Sequence, residues 1–270
     1  MASNVSSREV GAKQYSLAKI LTIWAAAALP MGILGWVVYP ALTPDRVADP
    51  LGAGVTRTAL MTVGLVWQFV LAMFIVYREE GNLHWTTIRR RLWLNAPLDP
   101  KTGEPRRRLW LWLIPLVGVF VLGMLVYGQV LNNLWLRIFP FLAPPPGFNP
   151  MDLLFASPEL QAQLVGAWGF YGLFLILAVF NILGEEFLFR GVLLPKMEGV
   201  FGKWDWVANG ALFAVYHLHE PWFWLAYLDG IITFALPARR FRSTWLAIIV
   251  HSVQIVIFAP MILMAVLGLM

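Results

Sequence analysis

The chain has 270 residues, of which 59% are hydrophobic and 13% charged, with a formal net charge of +5 and no cysteine. Soluble domains are usually about half apolar and about a quarter charged, so this composition excludes an ordinary soluble globular protein. The lack of cysteine excludes disulfides, thiolate nucleophiles and thiolate metal sites. Because the basic residues fall mostly between apolar runs, the positive charge indicates membrane orientation rather than nucleic-acid binding.

Apolar runs of about 20 residues, the length that crosses a bilayer, recur along the chain. They predict an all-α, polytopic transmembrane helix bundle of about seven spans, with six to eight also fitting the pattern. The predicted spans cover about 18–39, 57–77, 109–131, 164–183, 204–218, 222–237 and 244–268. Ser157 is the predicted N-cap of the fourth helix, which starts at Pro158 and continues to about 195.

Lysine and arginine concentrate in three segments between spans, at 78–108, 190–203 and 239–242. Short loops rich in these residues face the cytoplasm, and with seven spans all three segments fall on one side. We therefore predict a cytoplasmic N-terminal tail at 1–17 and one transmembrane domain at 18–270. The predicted location is the plasma membrane of a prokaryote, with the lipid bilayer as surroundings.

Two adjacent glutamates and an arginine lie in the apolar fourth helix, where charged side chains are costly and are functional candidates. Glu186 and Arg190 are four residues apart, so they share a helix face and can pair. Glu185 points about 100° away from Glu186 and lacks that partner, so it is free to face a cavity. The alternative is that both glutamates sit at the membrane boundary, held by Arg190 and Lys196.

Two histidines are placed in the later helices. Phe213 precedes His217 by four residues, so its ring can pack against the imidazole. His251 lies in an otherwise apolar helix and needs a polar partner from another helix. Further polar residues in apolar surroundings are either helix-packing contacts or site residues; they are Asn181, Asn209, Asp229, Ser252 and Gln254.

At a rise of about 1.5 Å per residue, Glu185, His217 and His251 all fall between the inner surface and the midplane. A carboxylate and two imidazoles at one depth can activate water and stabilise an oxyanion. The same three residues could instead bind zinc with an open coordination position. The chain has no HExxH motif, so we predict no cofactor and no metal, with zinc as the alternative.

These residues occur in the order Glu185-Glu186-x-x-x-Arg190-Gly191, Phe213-x-x-x-His217 and His251. This order resembles the CAAX protease and bacteriocin-processing family (CPBP, also called Abi) of intramembrane proteases, over about 180–255. The resemblance implies a multi-helix catalytic core at 158–270 and a glutamate-activated water. It implies that Glu185 and His217 activate the water, that Glu186 and Arg190 support the site, and that His251 belongs to the oxyanion side.

The sequence departs from the family pattern at one position. The last motif of the family has an asparagine one helical turn after the histidine, where this chain has Ile255. Gln254, Asn181 and Asn209 are the candidates to supply the missing amide.

The favoured function is an intramembrane endopeptidase that hydrolyses a peptide bond of a membrane-associated protein or peptide. A non-catalytic immunity or partner-binding protein on the same scaffold is the alternative. A transporter or lipid-handling protein is the third hypothesis, but it predicts a polar path across the whole membrane. Neither nucleic acid nor a prenylated protein is predicted as the natural partner.

Overall fold

A computed structural model describes residues 14–149, 152–155 and 158–270. These residues form helices and turns, with one isolated antiparallel bridge between Leu98 and Pro105. The predicted all-α fold class is therefore confirmed. Residues 1–13 of the predicted tail, and Ser157 as the predicted N-cap, lie outside the described residues.

Nine helices make up most of the bundle in the described part of the chain. They are α1 (Leu17–Leu42), α2 (Pro50–Glu80), α3 (Trp85–Arg91), α4 (Arg107–Leu125), α5 (Gly128–Ile138), α6 (Trp168–Lys196), α7 (Asp205–Tyr216), α8 (Leu236–Phe241) and α9 (Thr244–Val266). Helices α1, α4 and α6 include π or 3₁₀ segments, and one-turn helices lie in several connections.

The ends of the long helices follow from local chemistry. At the start of α2, the Asp49 side chain accepts a hydrogen bond from the Gly52 amide, and Pro50 occupies the first turn, where no amide donor is needed. The helix ends at Gly81, whose φ of 76° is the left-handed conformation that glycine adopts without strain. Ser16 caps α1 in the same way as Asp49 caps α2, through the Lys19 amide.

Five of these helices, α1, α2, α4, α6 and α9, are long and apolar enough to cross a membrane, by a search of the described residues. The predicted fifth span is α7, whose 12 residues cover only about 18 Å of a hydrocarbon core of about 30 Å. The predicted sixth span, 222–237, is broken by a turn at Leu228 and Asp229. Before the turn are the 3₁₀ turn Pro221–Phe223 and the one-turn helix Trp224–Tyr227, and after it are the π turn Ile231–Ala235 and α8. The expected count of about seven spans thus differs from the five long helices.

The segment 205–241 forms a short hairpin inside the bundle. Asp205 at the start of α7 accepts a 2.6 Å hydrogen bond from Arg239 in α8, so the hairpin returns to the end where it began. At its tip, the carbonyls of His217 and Leu218 accept hydrogen bonds from the Trp224 and Trp36 indoles. Non-helical backbone at membrane depth is tolerated where protein groups satisfy it in this way.

The three basic segments lie at one end of the bundle. Arg91 donates to the Gly191 carbonyl at 2.9 Å, and the Asn95 amide donates to the Arg242 carbonyl at 2.9 Å. The other end is marked by the hydrogen bond from the Gly166 amide to the Val266 carbonyl. The charge rule predicts that the basic end faces the cytoplasm.

Arg91 connects four parts of this end. It pairs with Glu79 of α2 at 2.9 Å and donates to the Tyr15 hydroxyl at 3.0 Å. Burial raises the pKa of Tyr15, which stays neutral and donates to Glu79. Arg91 also reaches the Val192 carbonyl of α6. The chain before α1 and helices α2, α3 and α6 therefore share one buried guanidinium.

We predict that Arg91→Met lowers the free energy of unfolding by about 3 kcal/mol, because it removes the buried cation paired with Glu79 and the side-chain donor to two carbonyls of α6. Arg90→Met is the matched control. Its pair with Glu80 is mostly exposed, so its loss should cost at most about 1 kcal/mol. Unfolding of both variants in detergent, followed by circular dichroism, measures the difference; equal destabilisation would contradict the role given to Arg91.

Candidate active site

Glu185, His217 and His251 come together from α6, from the tip of the 205–241 hairpin and from α9. Their exposed fractions are 1%, 7% and 5%, so the cluster is buried within the protein. His217 Nε2 lies 3.8 Å from Glu185 Oε1, and His251 Nε2 lies 3.8 Å from Glu185 Oε2. The two imidazoles therefore face the two oxygens of one carboxylate.

The two oxygens of Glu185 differ in their surroundings. Oε1 accepts hydrogen bonds from the Tyr216 hydroxyl at 2.6 Å and from the Asn181 amide at 2.9 Å. Oε2 has no hydrogen-bond partner among the described residues. One oxygen is thus held in place by two donors, while the other is buried with its hydrogen-bonding capacity unused.

The local backbone orients His217. Its Nδ1 lies 3.0 Å from the Phe213 carbonyl, which is free to accept because α7 ends at Tyr216. A carbonyl only accepts, so Nδ1 carries the hydrogen and the neutral ring presents a bare Nε2 to Glu185. The rings of Tyr227, at a centroid distance of 4.1 Å, and Phe213, at 5.0 Å, pack against the imidazole.

His251 is oriented by the second glutamate. Its Nδ1 lies 2.9 Å from Glu186 Oε1, and its ring stacks on Phe234 at a centroid distance of 4.8 Å. Glu186 is the polar partner from another helix that an imidazole in this apolar helix needs. As a result, the His251 Nε2 points toward Glu185, as the His217 Nε2 does.

Arg190 neutralises Glu186 without a close hydrogen bond. Its Nη1 lies 3.5 Å from Glu186 Oε1 across the predicted four-residue spacing, and the guanidinium is fully buried. The cation lies 4.0 Å from the centre of the Phe213 ring and 5.1 Å from that of Phe234. Aromatic faces attract a desolvated cation in this position. The Phe213 ring therefore packs against two site residues, His217 and Arg190.

Helix α6 changes from α to π geometry between the two glutamates, and the π segment is Glu186–Leu193. Such segments are uncommon and often lie at functional sites. Side chains from other helices satisfy its carbonyls: Asn209 donates to Phe189 at 2.8 Å, and Arg91 donates to Gly191. Asn209 is therefore engaged with the backbone of α6 and does not contact the carboxylate cluster.

A pair of amides lies beside Glu185, although the position at which the family pattern has its asparagine is Ile255. Ile255 packs against the apolar core. The Gln254 amide donates to Asn181, and Asn181 donates to Glu185 Oε1. Of the three candidates for the missing amide, Asn181 thus contacts Glu185 directly and Gln254 contacts it through Asn181.

Three site neighbours are not among the residues singled out from the sequence: Tyr216, Gln68 and Tyr227. Gln68 of α2 donates to the Tyr216 hydroxyl at 3.2 Å, and Tyr216 donates to Glu185. Gln68 was detectable as an isolated polar residue in an apolar run. Ser252 donates to the carbonyl of Ile248 in its own helix and takes no part in the cluster.

Close packing brings α2 to the site. A Cβ atom on Gly184 would lie 2.6 Å from the Leu65 carbonyl, nearer than real contacts allow. A glycine is therefore required before Glu185 so that α2 can approach and place Gln68 behind Tyr216.

If zinc were bound, its ligands would be the three residues named from the sequence, Glu185, His217 and His251. In the described part of the chain, no group of three or more histidine, cysteine or acidic residues is arranged as a metal site.

Residues 167–257 match a family model described as "Type II CAAX prenyl endopeptidase Rce1-like". The match contains all three residues of the cluster, while the site neighbour Gln68 lies outside it, and it confirms the resemblance to the CAAX protease family over this third of the chain. A search of curated proteins and a search of solved structures each gave no significant match.

We predict that the Gln254–Asn181 contact is energetically coupled. Asn181→Leu and Gln254→Leu each remove one partner of a hydrogen bond, so the double variant should lose about 1 kcal/mol less than the sum of the single losses. Asn209 shares no hydrogen-bond partner with Gln254. In this control pair, the stability losses of Asn209→Leu and Gln254→Leu should be additive within about 0.5 kcal/mol. Unfolding in detergent gives both cycles, and additivity at Asn181 and Gln254 would argue against the contact.

Proposed function

Since residues 167–257 match a protease family, we propose that this chain is an intramembrane endopeptidase that cleaves a membrane-associated substrate through an activated water. The observation that carries the proposal is the convergence of two oriented imidazoles on Glu185, each at 3.8 Å. These separations exceed a hydrogen bond of about 2.7–3.2 Å. Catalytic contacts in unliganded enzymes are often long and tighten when substrate binds.

In the proposed reaction, a water molecule lies beside Glu185 and attacks the carbonyl carbon of the scissile peptide. Glu185 Oε2 is the proton acceptor, because Tyr216 and Asn181 already occupy Oε1. His217, with its bare Nε2, accepts a hydrogen bond from the same water and holds it on the attacking side. When the tetrahedral intermediate collapses, Glu185 returns the proton to the leaving amine, so that water is added across the bond.

His251 is the proposed donor to the oxyanion. Its Nδ1 hydrogen is directed at Glu186, so donation from Nε2 requires the doubly protonated ring. Glu186 balances that positive charge at 2.9 Å, and Arg190 in turn balances Glu186 at 3.5 Å. A donor held in a water-excluded site stabilises a developing oxyanion more strongly than one in water.

The proposed substrate reaches the site from the membrane. Glu185 is about 15 Å along α6 from Lys196 at the basic end, which places the cluster in the half of the bundle that the charge rule assigns to the cytoplasm. A peptide bond presented by a membrane-associated protein or peptide at that depth is the substrate class that this position suits.

We predict that Glu185→Gln, His217→Ala and His251→Ala each lower cleavage of an internally quenched membrane peptide by about 100-fold or more, because each removes a proton acceptor or an oxyanion donor. Glu104→Gln and His84→Ala are matched controls, since both residues are exposed and lie away from the cluster. They should retain the wild-type rate.

The same variants separate the peptidase from a non-catalytic protein on this scaffold. If wild type, Glu185→Gln and the controls give equal cleavage rates while all remain folded, the peptidase proposal fails. A cellular phenotype that survives Glu185→Gln would then favour an immunity or partner-binding role.

A metal requirement is tested separately. If Glu185 activates water without zinc, prolonged treatment with a chelator such as EDTA or 1,10-phenanthroline should leave the cleavage rate within about twofold of the untreated enzyme. Loss of activity on chelation, with recovery on adding zinc, would assign Glu185, His217 and His251 as metal ligands instead.

A further inference from the structure

A groove opens on the side of the bundle at its basic end, away from the Glu185 cluster. It has a volume of about 360 Å³ and lies between α3 with the residues that follow it, the first turn of α4, and the first turns of α9. We call it the interfacial groove, and its lining residues are Trp85, Arg89, Leu94, Ala96, Trp110, Trp245 and Ile249.

The walls of the interfacial groove follow from helical spacing. Trp85 and Arg89 are four residues apart on α3, and Trp245 and Ile249 are four apart on α9, so each pair lies on one helix face. Ile249 is 36% exposed and lies one turn farther into the apolar helix than Trp245. The groove thus runs from an arginine at the basic end toward the apolar middle of the bundle.

Arg89 is the one charged residue that lines this groove, and it has no carboxylate partner among the described residues. The segment 78–108 has eight basic and four acidic residues. Three of the acids, Glu79, Glu80 and Asp99, already pair with other cations. Among the described residues, the only hydrogen bond of the Arg89 side chain is from Nε to the Leu94 carbonyl at 3.2 Å, so the rest of the guanidinium can take an anion.

A second groove, beside the start of α4, differs from the interfacial groove because an acidic residue lines it. Its volume is about 510 Å³, and its lining includes Arg106 and Arg108 but also Asp99. Asp99 pairs with Arg106 at 2.9 Å, so this groove already contains its own anion. The interfacial groove is the better anion site because no acidic residue lines it.

We propose that the interfacial groove binds an anionic phospholipid, with the phosphate on Arg89 and one acyl chain against Trp245 and Ile249. Arginine binds phosphate through parallel N–H donors, and basic pockets at the cytoplasmic ends of membrane helices favour anionic headgroups. Tryptophan prefers the boundary between headgroups and hydrocarbon, and three tryptophans line the groove. The proposal concerns binding only and does not depend on peptidase activity.

The test counts lipids on the purified full-length protein by native mass spectrometry in a non-ionic detergent. Phosphatidylglycerol should bind wild type more tightly than phosphatidylcholine does. Arg89→Gln should weaken the first phosphatidylglycerol by about fivefold, the effect of one basic residue near the surface. Arg78→Gln removes the same charge from α2, outside the groove, and should leave that affinity within about twofold.

Ile249→Trp keeps every charge but fills the apolar part of the groove, and it should also weaken phosphatidylglycerol binding. Equal affinity for the two lipids, or equal losses in Arg89→Gln and Arg78→Gln, would overturn the proposal. Glycerophosphoglycerol carries the headgroup without chains. If it displaced the lipid at comparable concentrations, the site would be one for soluble phosphate compounds and not for a lipid.

Discussion

Glu186 is the carboxylate that links the buried charges of this bundle. It holds the His251 Nδ1 at 2.9 Å and faces Arg190 at 3.5 Å, with all three side chains almost or fully buried. Removing a charge from water costs several kcal/mol unless a partner compensates it. The positions of α6 and α9 are therefore constrained by one shared carboxylate. The orientation of His251 toward Glu185 is a consequence of this constraint.

The π segment of α6 connects this charge network to the basic end of the bundle. Its altered hydrogen bonding leaves backbone carbonyls that need donors from other helices. Arg91 of α3 and Asn209 of α7 supply these donors. The same arginine holds Glu79 and Tyr15. The hydrogen bonds of Arg91 therefore connect packing at the basic end to the helix that carries the two glutamates.

The hairpin 205–241 explains how an imidazole reaches the cluster from a helix too short to cross the membrane. A continuous span would bury His217 within a regular helix, with its Nδ1 unpartnered. Because α7 stops at Tyr216, the Phe213 carbonyl is available to the imidazole and Tyr227 can return to pack on the ring. At the tip, where the helix is interrupted, tryptophan indoles donate hydrogen bonds to the backbone carbonyls of His217 and Leu218.

The sequence by itself determined the all-α membrane class, since runs of about 20 apolar residues have few other solutions in water or lipid. Helical spacing also predicted that Glu186 and Arg190 can pair, and the sequence contains the ordered motif of the CAAX protease family. Only the tertiary structure decided which groups from other helices meet Glu185. Tyr216, with Gln68 behind it, and Gln254, which reaches the cluster through Asn181, depend on helix rotation and on the close approach at Gly184. Such contacts join residues far apart in the chain, and periodicity within one helix has no information about them.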